Sequence, residues 1–463
     1  MNNILSKIVA NKKRELIIRK LLVSQTFMES ELQSSSRSLF DALSNKKSDF
    51  IFECKKASPS KGLIRRNFDL AEILASYSKY ASAISVLTDH KYFKGSFAHL
   101  QFVSENVQQP VLCKDFFIDP YQLIEARYHG ADAILLMLSV LDDSEYIELA
   151  RKAQELNLDV LTEVHDKVEL DRALKLGAKI IGVNNRNLKD LSIDLNTTIE
   201  LISSLPNSLK KGRLFISESG ISDNREVRKI SPYVNGFLVG SSIMRMDNIS
   251  KQCKSLIYGK NKICGLTKRQ SATCASEQGA IFGGLIFSPK SIRYVTPKVA
   301  KRIMAGVDLD FVGVFVDEPF ESLIRIAKEL GLSIIQLHGN EDAQYVRRLK
   351  SELSDCVIWK AISIENNSSL EQSSLLDCTE IDQFLLDTKH QGSSGGTGKT
   401  FDWKILEQLS NSNIILAGGL KLENIKKASE LNTYALDINS GVEETPGEKS
   451  CEKITQLFNV LQA

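Results

Sequence analysis

The sequence predicts an α/β protein made of two tandem (β/α)8 (TIM) barrels, the first with an N-terminal helical extension. Three observations predict this fold: the length, the alternation of apolar runs with amphipathic segments, and eight such runs in each half. The chain has 463 residues, and a (β/α)8 barrel takes roughly 200–250, so two barrels fit. The count of strands also permits open doubly wound sheets, which alternate in the same way.

The apolar runs have the character of strands that are buried on both faces, as in a parallel sheet covered by helices. In the first half they are residues 50–54, 83–87, 111–113, 133–138, 160–162, 180–183, 214–216 and 236–239. In the second half they are residues 263–266, 281–287, 311–316, 334–337, 357–361, 384–386, 414–416 and 434–438. Helix-like segments such as 119–129, 144–156 and 321–330 lie between them, and a helical stretch over roughly 3–43 precedes the first strand. We expect one domain over 1–256 and a second over 257–463.

The composition excludes several classes of protein. A hydrophobic fraction of 43% with 25% charged residues is ordinary for a globular chain and excludes disorder. The 59 basic and 57 acidic residues give a net charge of +2, which argues against nucleic acid or a membrane surface as partner and favours a small molecule. The longest apolar run, 134–141, is far shorter than the roughly 20 residues of a membrane span. The start of the chain does not resemble a secretory signal, so we expect a cytoplasmic protein. We also expect it to be a monomer.

The 8 cysteines are scattered along the chain, with no CxxC pair and no cluster of cysteine and histidine. This pattern predicts neither a disulfide framework nor a structural zinc site.

Charged residues follow the strands of the first half, where barrel enzymes place their chemistry. They are Glu53 and Lys55 at the end of the first strand, Lys114 at the end of the third, Glu163 at the end of the fifth, and Arg186, with the neutral Asn184, at the end of the sixth. Unpaired charges are costly to bury, so these side chains are expected to face each other or a ligand. A structural ion-pair network is the alternative. Two lysines and two glutamates at the same end of separate strands favour an active site.

Small residues follow the last two strands of each half. The segments are 217–220 (SESG) and 240–242 (GSS) in the first half, and 417–419 (AGG) and 437–441 (DINSG) in the second. Small residues let backbone N–H groups approach an anion, and barrel phosphate sites form after strands seven and eight. The recurrence in both halves predicts two phosphate sites.

Two residues of the second half can form an acid–base couple. Cys264 ends its first strand and Asp387 ends its sixth. A thiolate can take a proton and a carboxylic acid can give one. Cys264 taken alone is more typical of a small buried hydrophobic residue.

The segment 393–400 (SSGGTGKT) is similar to a Walker A loop, but Ser393 stands where the motif requires its first glycine. The residues after it do not directly continue as a long apolar helix. The segment therefore does not favour an ATPase.

Segments of both halves resemble known families. The first half resembles indole-3-glycerol phosphate synthase in residues 53–62 (ECKKASPSKG), 112–116 (LCKDF), 161–164 (LTEV), 182–186 (GVNNR) and 217–221 (SESGI). The second half resembles phosphoribosylanthranilate isomerase in residues 262–267 (KICGLT), 336–339 (QLHG), 395–403 (GGTGKTFDW) and 437–443 (DINSGVE). Together these segments follow the order of the bifunctional bacterial family of tryptophan biosynthesis, and they imply two barrels.

The resemblance implies that the second half acts first, on N-(5-phosphoribosyl)anthranilate, in an Amadori rearrangement. Asp387 would protonate the ribose ring oxygen and Cys264 would take the proton from C2. Arg293 would hold the anthranilate carboxylate, and His338 would contact the substrate. The implied phosphate-binding residues are Asp437, Asn439, Ser440, Gly441, Gly418 and Gly419. Asn439 stands where the family often has serine.

The resemblance implies that the first half then closes the indole ring with loss of CO2 and water. Lys114 resembles the general acid, tuned by Glu53, while Glu163 and Lys55 would serve the dehydration. Asn184, Arg186, Glu218 and Ser219 would line the site. Ser58, Gly220, Gly240 and Ser241 would bind phosphate. Positioned acids and bases suffice for both steps, so neither a cofactor nor a metal is implied.

Two other functions compete with this interpretation. A phosphosugar-binding double barrel without catalysis would first lose its acid–base residues, whereas Lys114, Glu163, Cys264 and Asp387 all have side chains that can transfer protons. A P-loop nucleotide switch is weakened by Ser393.

Overall fold

The computed structural model describes residues 4–45, 48–187, 190–364, 375, 377–390, 393–394, 401–408 and 413–462. The chain divides into two compact units, Met1–Leu256 and Ile257–Gln462.

The first unit contains a closed parallel barrel, as predicted. Its strands are β1 (Asp49–Cys54), β2 (Ala83–Leu87), β3 (Val111–Lys114), β4 (Ala133–Met137), β5 (Asp159–Val164), β6 (Ile180–Asn184), β7 (Leu214–Glu218) and β8 (Gly236–Val239). Each strand pairs with its neighbour in the chain, and β1 pairs with β8 to close the cylinder. All eight carboxyl ends therefore meet at one rim, where the predicted site residues lie.

The second unit repeats this arrangement. Its strands are β9 (Asn261–Ile263), β10 (Phe282–Ile286), β11 (Asp310–Phe315), β12 (Ile334–Leu337), β13 (Val357–Ile364), β14 (Gln383–His390), β15 (Ile414–Leu416) and β16 (Ala435–Ile438). Pairing of β9 with β16 closes this barrel. The predicted fold of two (β/α)8 barrels is thus confirmed.

Helices alternate with the strands in both units. In the first they are Ile4–Leu22, Gln25–Ser30, Leu39–Ala42, Leu70–Tyr80, His90–Phe93, Phe97–Asn106, Pro120–Tyr128, Asp143–Glu155, Lys167–Lys175, Asn196–Ser203, Asn207–Lys210, Asn224–Ile230, Ser241–Met244 and Ile249–Tyr258, the last of which runs into the second unit. In the second they are Arg269–Gln278, Pro297–Met304, Phe320–Leu330, Ala343–Glu352, Ile425–Ser429, Cys451–Leu461 and a 3-10 helix at Trp403–Gln408. Among the helices that the structure describes, none combines the length and the apolar content needed to cross a bilayer.

Every second residue of each strand points into the barrel and packs against the others there. Inside the first barrel, alternate residues of each strand, such as Ile51, Leu112 and Leu161, are buried together. The other strand faces pack beneath the helices, so every strand is apolar on both sides.

The first strand of the second barrel ends earlier than the sequence predicts. We expect it over 263–266, whereas β9 covers Asn261–Ile263. Gly265 has φ +69°, a left-handed conformation that stops regular strand geometry. Cys264 still donates its backbone N–H to Ile438 at 2.8 Å, so it stands at the rim of the barrel rather than inside a strand.

The scattered cysteines predict no disulfide framework, but one pair of them forms a disulfide. Cys274 and Cys451 form a disulfide that joins the helices Arg269–Gln278 and Cys451–Leu461. Their Cα atoms lie 5.9 Å apart, within the ordinary range for such a bond. The two residues are 177 positions apart in the chain, so local spacing carries no signal for the pair.

Candidate active sites

A cavity of about 350 Å³ opens at the carboxyl end of the first barrel. Every residue that the sequence predicts for this half lines it: Glu53, Lys55, Ser58, Lys114, Glu163, Asn184, Arg186, Glu218, Ser219, Gly220, Gly240 and Ser241. Barrel closure explains their meeting, because each residue follows or ends a strand of the same cylinder.

A buried ammonium group between two carboxylates forms the centre of this cavity. The Nζ atom of Lys114 lies 2.5 Å from Oε2 of Glu218 and 3.3 Å from Oε2 of Glu163. Asn184 donates from its amide to Oε1 of Glu163 at 3.1 Å, which orients that carboxylate. The three charged side chains are buried, so their interactions are strong and their geometry is fixed.

Glu53 is expected to tune Lys114, and it also forms an ion pair with Lys55. Its charge contributes to the electrostatics of Lys114 only as a smaller influence after Glu218 and Glu163. Lys55 and Lys114 therefore form their ion pairs with different carboxylates.

Ser219 shows how two successive residues both face the cavity. Strict alternation along a strand would turn Glu218 and Ser219 to opposite sides. Strand β7 ends at Glu218, and Ser219 takes a φ of +65°. This left-handed turn brings both residues to the cavity wall, at the cost of local backbone strain.

One wall of the cavity is apolar and is not among the features predicted from the sequence. Ile4, Leu5 and Ile8 of the helix Ile4–Leu22 line it together with Phe93 and Phe116. The two phenylalanine rings have centroids 6.1 Å apart. The helix Ile4–Leu22 has no marked apolar face over its length, so its periodicity carries no signal for this wall.

Sequence analysis also missed two cations. Lys61 and Arg245 also line the cavity. Burial and the charges of Arg245, Arg186 and Lys55 lower the pKa of Lys61. The cavity therefore has a strongly positive side, which suits a phosphate or carboxylate.

An ion cluster fixes the helical extension to the barrel. Lys12 is fully buried, and its Nζ lies 2.8 Å from Oδ1 of Asp115 and 3.0 Å from Oδ2 of Asp89. Asp115 directly follows Lys114 in the chain. Ile8 is one helical turn before Lys12, so the ion cluster holds the apolar wall in place.

The thiol of Cys264 lies beside a buried lysine in the second barrel. Lys262 donates to Sγ of Cys264 at 3.2 Å, to Oδ2 of Asp437 at 2.8 Å and to Oε1 of Gln336 at 2.7 Å. An ammonium group has three N–H donors, and all three are used here.

A line of contacts joins this lysine to Asp387. The amide nitrogen of Gln336 lies 3.0 Å from Nδ1 of His338, and Nε2 of His338 lies 3.5 Å from Oδ2 of Asp387. Cys264 and Asp387 are therefore connected at the same rim of the barrel.

Arg293 reaches the same rim. Its guanidinium donates to Glu443 through two hydrogen bonds of 2.8 and 2.7 Å. A Cβ at Gly265 would come within 2.6 Å of Cδ of Arg293, so the side chain passes over the residue that follows Cys264. Only glycine permits this close approach.

The predicted phosphate segments of the second barrel lie side by side. Gly441 forms a bridge to Lys421 just beyond Gly418 and Gly419, and Ser440 lies in the same turn. Asp437 is not part of this cradle, because its carboxylate accepts from Lys262 inside the barrel. A carboxylate would also repel a phosphate.

Asn439 faces a lysine. Its backbone oxygen and its Oδ1 accept hydrogen bonds from Lys449 at 2.9 and 2.8 Å. The segment 395–400 of the Walker-like motif lies outside the described residues.

Comparison with known proteins agrees with this geometry. Residues 5–256 match the family model described as indole-3-glycerol phosphate synthase, and residues 261–460 match that of N-(5'-phosphoribosyl)anthranilate isomerase. A tryptophan biosynthesis protein TrpCF from Yersinia pestis is 47% identical over 460 residues, 99% of this chain and 94% of that protein. The chain belongs to this bifunctional family.

Other proteins are similar to the whole chain or to its second half. The TrpCF protein of Buchnera aphidicola subsp. Schizaphis graminum is 46% identical, covering 99% of both chains. The solved structure of a phosphoribosyl anthranilate isomerase from Thermotoga maritima is 34% identical, with a TM-score of 0.40, and covers 44% of this chain and 98% of its own. The two family models and the full-length relatives show that the protein is an enzyme of tryptophan biosynthesis with a synthase barrel, which is a lyase, and an isomerase barrel. They do not favour a non-catalytic binding protein.

The two carboxylates of the synthase site titrate differently. Burial raises the pKa of Glu218 to about 7, with Lys114 opposing and Glu163 reinforcing the shift. Burial also acts to raise the pKa of Glu163, but Lys114 and His165 outweigh it and lower that pKa. Burial alone would lower the pKa of Lys114, yet Glu218 and Glu163 hold it above its ordinary value. One ammonium therefore serves two carboxylates, and Glu218 is the one that takes a proton first.

The thiol of the isomerase site is influenced in both directions. Burial and the charge of Asp437 raise the pKa of Cys264, while Lys262 acts to lower it. In the described part of the chain, no three His, Cys, Asp or Glu side chains are grouped to hold a metal ion.

Gly182→Ala is expected to slow the synthase without unfolding it. A Cβ at this position would overlap Oε1 of Glu218. Because that oxygen ends a flexible side chain, the carboxylate moves away from Lys114 and the barrel stays intact. A misplacement of this kind costs up to about 10²-fold in rate. Ring closure is measured alongside isomerisation, and equal losses in both reactions would contradict the prediction.

Proposed function

We propose that the two activities of this enzyme are carried by separate residue sets, one at the carboxyl rim of each barrel. Residues 1–256 carry the synthase and residues 257–463 the isomerase. The ranges of the two family models, 5–256 and 261–460, support this division.

The isomerase converts N-(5-phosphoribosyl)anthranilate to 1-(2-carboxyphenylamino)-1-deoxyribulose 5-phosphate. Asp387 gives its proton to the ribose ring oxygen, and the bond from C1 to that oxygen breaks. Cys264, as a thiolate, takes the proton from C2, and the electron pair forms the enolamine that becomes the ketone. Both steps are proton transfers, which positioned side chains catalyse.

The contact between Lys262 and Cys264 carries this proposal. A thiolate is the form that accepts a proton. Burial and the charge of Asp437 raise the pKa of the Cys264 thiol, and the ammonium of Lys262 at 3.2 Å acts in the opposite direction, toward the thiolate. Arg293, held by Glu443, presents its guanidinium to the anthranilate carboxylate. Backbone N–H groups of Gly418, Gly419, Ser440 and Gly441 hold the phosphate.

The synthase closes the indole ring of that product with loss of CO2 and water. Lys114 donates a proton to the ketone oxygen as the new bond forms. Glu163 and Lys55 serve the dehydration that follows. The phosphate binds on the positive side of the cavity, near Ser58, Gly220, Gly240 and Ser241, and Arg186 with Asn184 and Ser219 lines the centre.

The position of Lys114 between Glu163 and Glu218 carries the synthase proposal. A buried ammonium with two carboxylates can give a proton and recover it within one site. The apolar wall of Ile4, Ile8 and Phe116 suits the aromatic ring of the substrate. The test is a separate assay of the two steps in variants of each site.

Glu218→Gln is expected to change the pH profile of ring closure. As the pH rises through about 7, Glu218 loses its proton and its new charge makes Lys114 hold its own proton more tightly. The wild-type rate should therefore fall above that pH. The amide of the Glu218→Gln variant cannot lose a proton, so the rate of the variant should not fall in this way. Rates of ring closure measured between about pH 5.5 and 9 test this. A profile that keeps the same fall in the variant would assign it to another group; isomerisation in the same samples is the control.

The partners we propose are small phosphorylated anthranilate–ribose compounds, with no nucleic acid or membrane partner. The near-neutral net charge of +2 supports this choice. We also propose a monomer in the cytoplasm, and light scattering of the purified 51.6 kDa chain tests the first of these two points.

A further inference from the structure

The hydrogen bonds around Gln336 have only one consistent direction. Gln336 is almost fully buried on β12, inside the second barrel. The ammonium of Lys262 can only donate, so the atom of Gln336 that faces it must be the amide oxygen. The amide nitrogen then faces His338 and donates to Nδ1 at 3.0 Å.

This direction determines the tautomer of His338. Because Nδ1 accepts a hydrogen bond, the proton of the neutral ring is on Nε2. Nε2 faces Oδ2 of Asp387 at 3.5 Å. The N–H group is therefore aimed at the carboxyl of the proposed general acid, and contacts of this kind are often long before substrate binds.

We propose that Gln336 is a positioning residue of the isomerase: its amide holds His338 with Nε2–H directed at Asp387. The proposal rests on the proposed role of Asp387 as the acid. When Asp387 transfers its proton to the ribose oxygen, the O–H bond breaks and a carboxylate remains. The Nε2–H group of His338 stabilises that new charge as it forms.

The same amide serves both reacting groups. Its oxygen holds Lys262, which stabilises the thiolate of Cys264 before the reaction. Its nitrogen holds His338, which stabilises the carboxylate of Asp387 after the proton has left. The negative charge moves from the base to the acid during the reaction, and each end has its own donor.

Gln336→Glu tests the proposal with almost no change of shape. Glutamate still accepts from Lys262 but cannot donate to Nδ1 of His338, so the ring proton moves to Nδ1. We expect the kcat of isomerisation to fall by about 10²-fold, with KM within about threefold, because the substrate contacts remain. Synthase activity in the same chain reports intact protein. A rise in KM with unchanged kcat would overturn the proposal.

The tautomer can be observed directly by ¹⁵N NMR of the histidines, of which the chain has only 6. The His338 signal is assigned from a His338→Ala variant. Wild type should show the proton on Nε2 and Gln336→Glu should not; a wild-type proton on Nδ1 would refute the proposal without any activity measurement.

A double variant separates positioning from a general structural effect. In a His338→Ala background, Gln336→Glu should lower kcat by no more than about threefold, because its effect acts through His338. A further loss as large as in wild type would contradict the proposal. If instead Asp387→Asn leaves isomerisation intact, the proposed acid is wrong, while the tautomer measurement remains valid.

Discussion

Lys114→Met is expected to abolish ring closure while isomerisation continues at the wild-type rate. Loss of a positioned acid lowers the rate by about 10²–10⁴-fold. Glu163 and Glu218 also lose the ammonium that lies 3.3 and 2.5 Å from them. Removing one partner of a buried ion pair costs about 3–5 kcal/mol, partly relieved when one carboxyl takes a proton. The two steps are measured separately with purified substrates.

A second substitution separates charge from proton transfer. Lys114→Arg keeps a cation between the two carboxylates, but a guanidinium does not give up its proton at working pH. We expect the folded state to survive and ring closure to remain lost. Lys175→Met, an exposed lysine on the helix Lys167–Lys175, is the matched control and should leave both reactions unchanged. Loss of isomerisation in either Lys114 variant would argue against independent sites.

Asp387→Asn is expected to have the opposite effect. The amide matches the carboxyl in shape and can still accept the backbone N–H of Thr388, which lies 2.8 Å from Oδ1. It has no acidic proton to give to the ribose ring oxygen, so isomerisation should fall by about 10²–10⁴-fold. Ring closure, assayed with the isomerised intermediate supplied directly, should proceed normally.

The control for this variant is Asp355→Asn, an exposed aspartate of the same unit. It should leave both reactions at their wild-type rates. If Asp387→Asn retains isomerisation, another group protonates the ribose oxygen. The proposed role of Asp387 as the general acid would then be wrong.

Many of the polar residues that line the cavity of the first barrel could be predicted from the sequence because they lie at the ends of regular strands. Glu163 and Lys114 follow apolar runs of a cylinder whose closure brings all strand ends together. The partner of Glu53 could not be predicted in this way, since a choice between Lys55 and Lys114 depends on side-chain directions. The apolar wall was missed because the helical extension has no strand to mark its position.

The isomerase site was harder to predict for two physical reasons. Lys262 follows Lys260 and Asn261 at the start of its strand, and its partner Asp437 is 175 residues away, so neither spacing nor composition reveals the pair. The resemblance to the isomerase implies that Asp437 binds phosphate, whereas its carboxylate accepts a hydrogen bond from Lys262 in the barrel. The disulfide of Cys274 with Cys451 was invisible for the same reason of distance along the chain.

The Lys12 cluster has a consequence for synthesis of the protein on the ribosome. Lys12 leaves the ribosome before Asp89 and Asp115 have been made, and at 5–20 residues per second the delay is on the order of ten seconds. During that time the helix Ile4–Leu22 has no barrel surface to pack against, and chaperones can bind its apolar residues. The cavity of the synthase is therefore completed by a helix that is made before the parts of the barrel on which it packs.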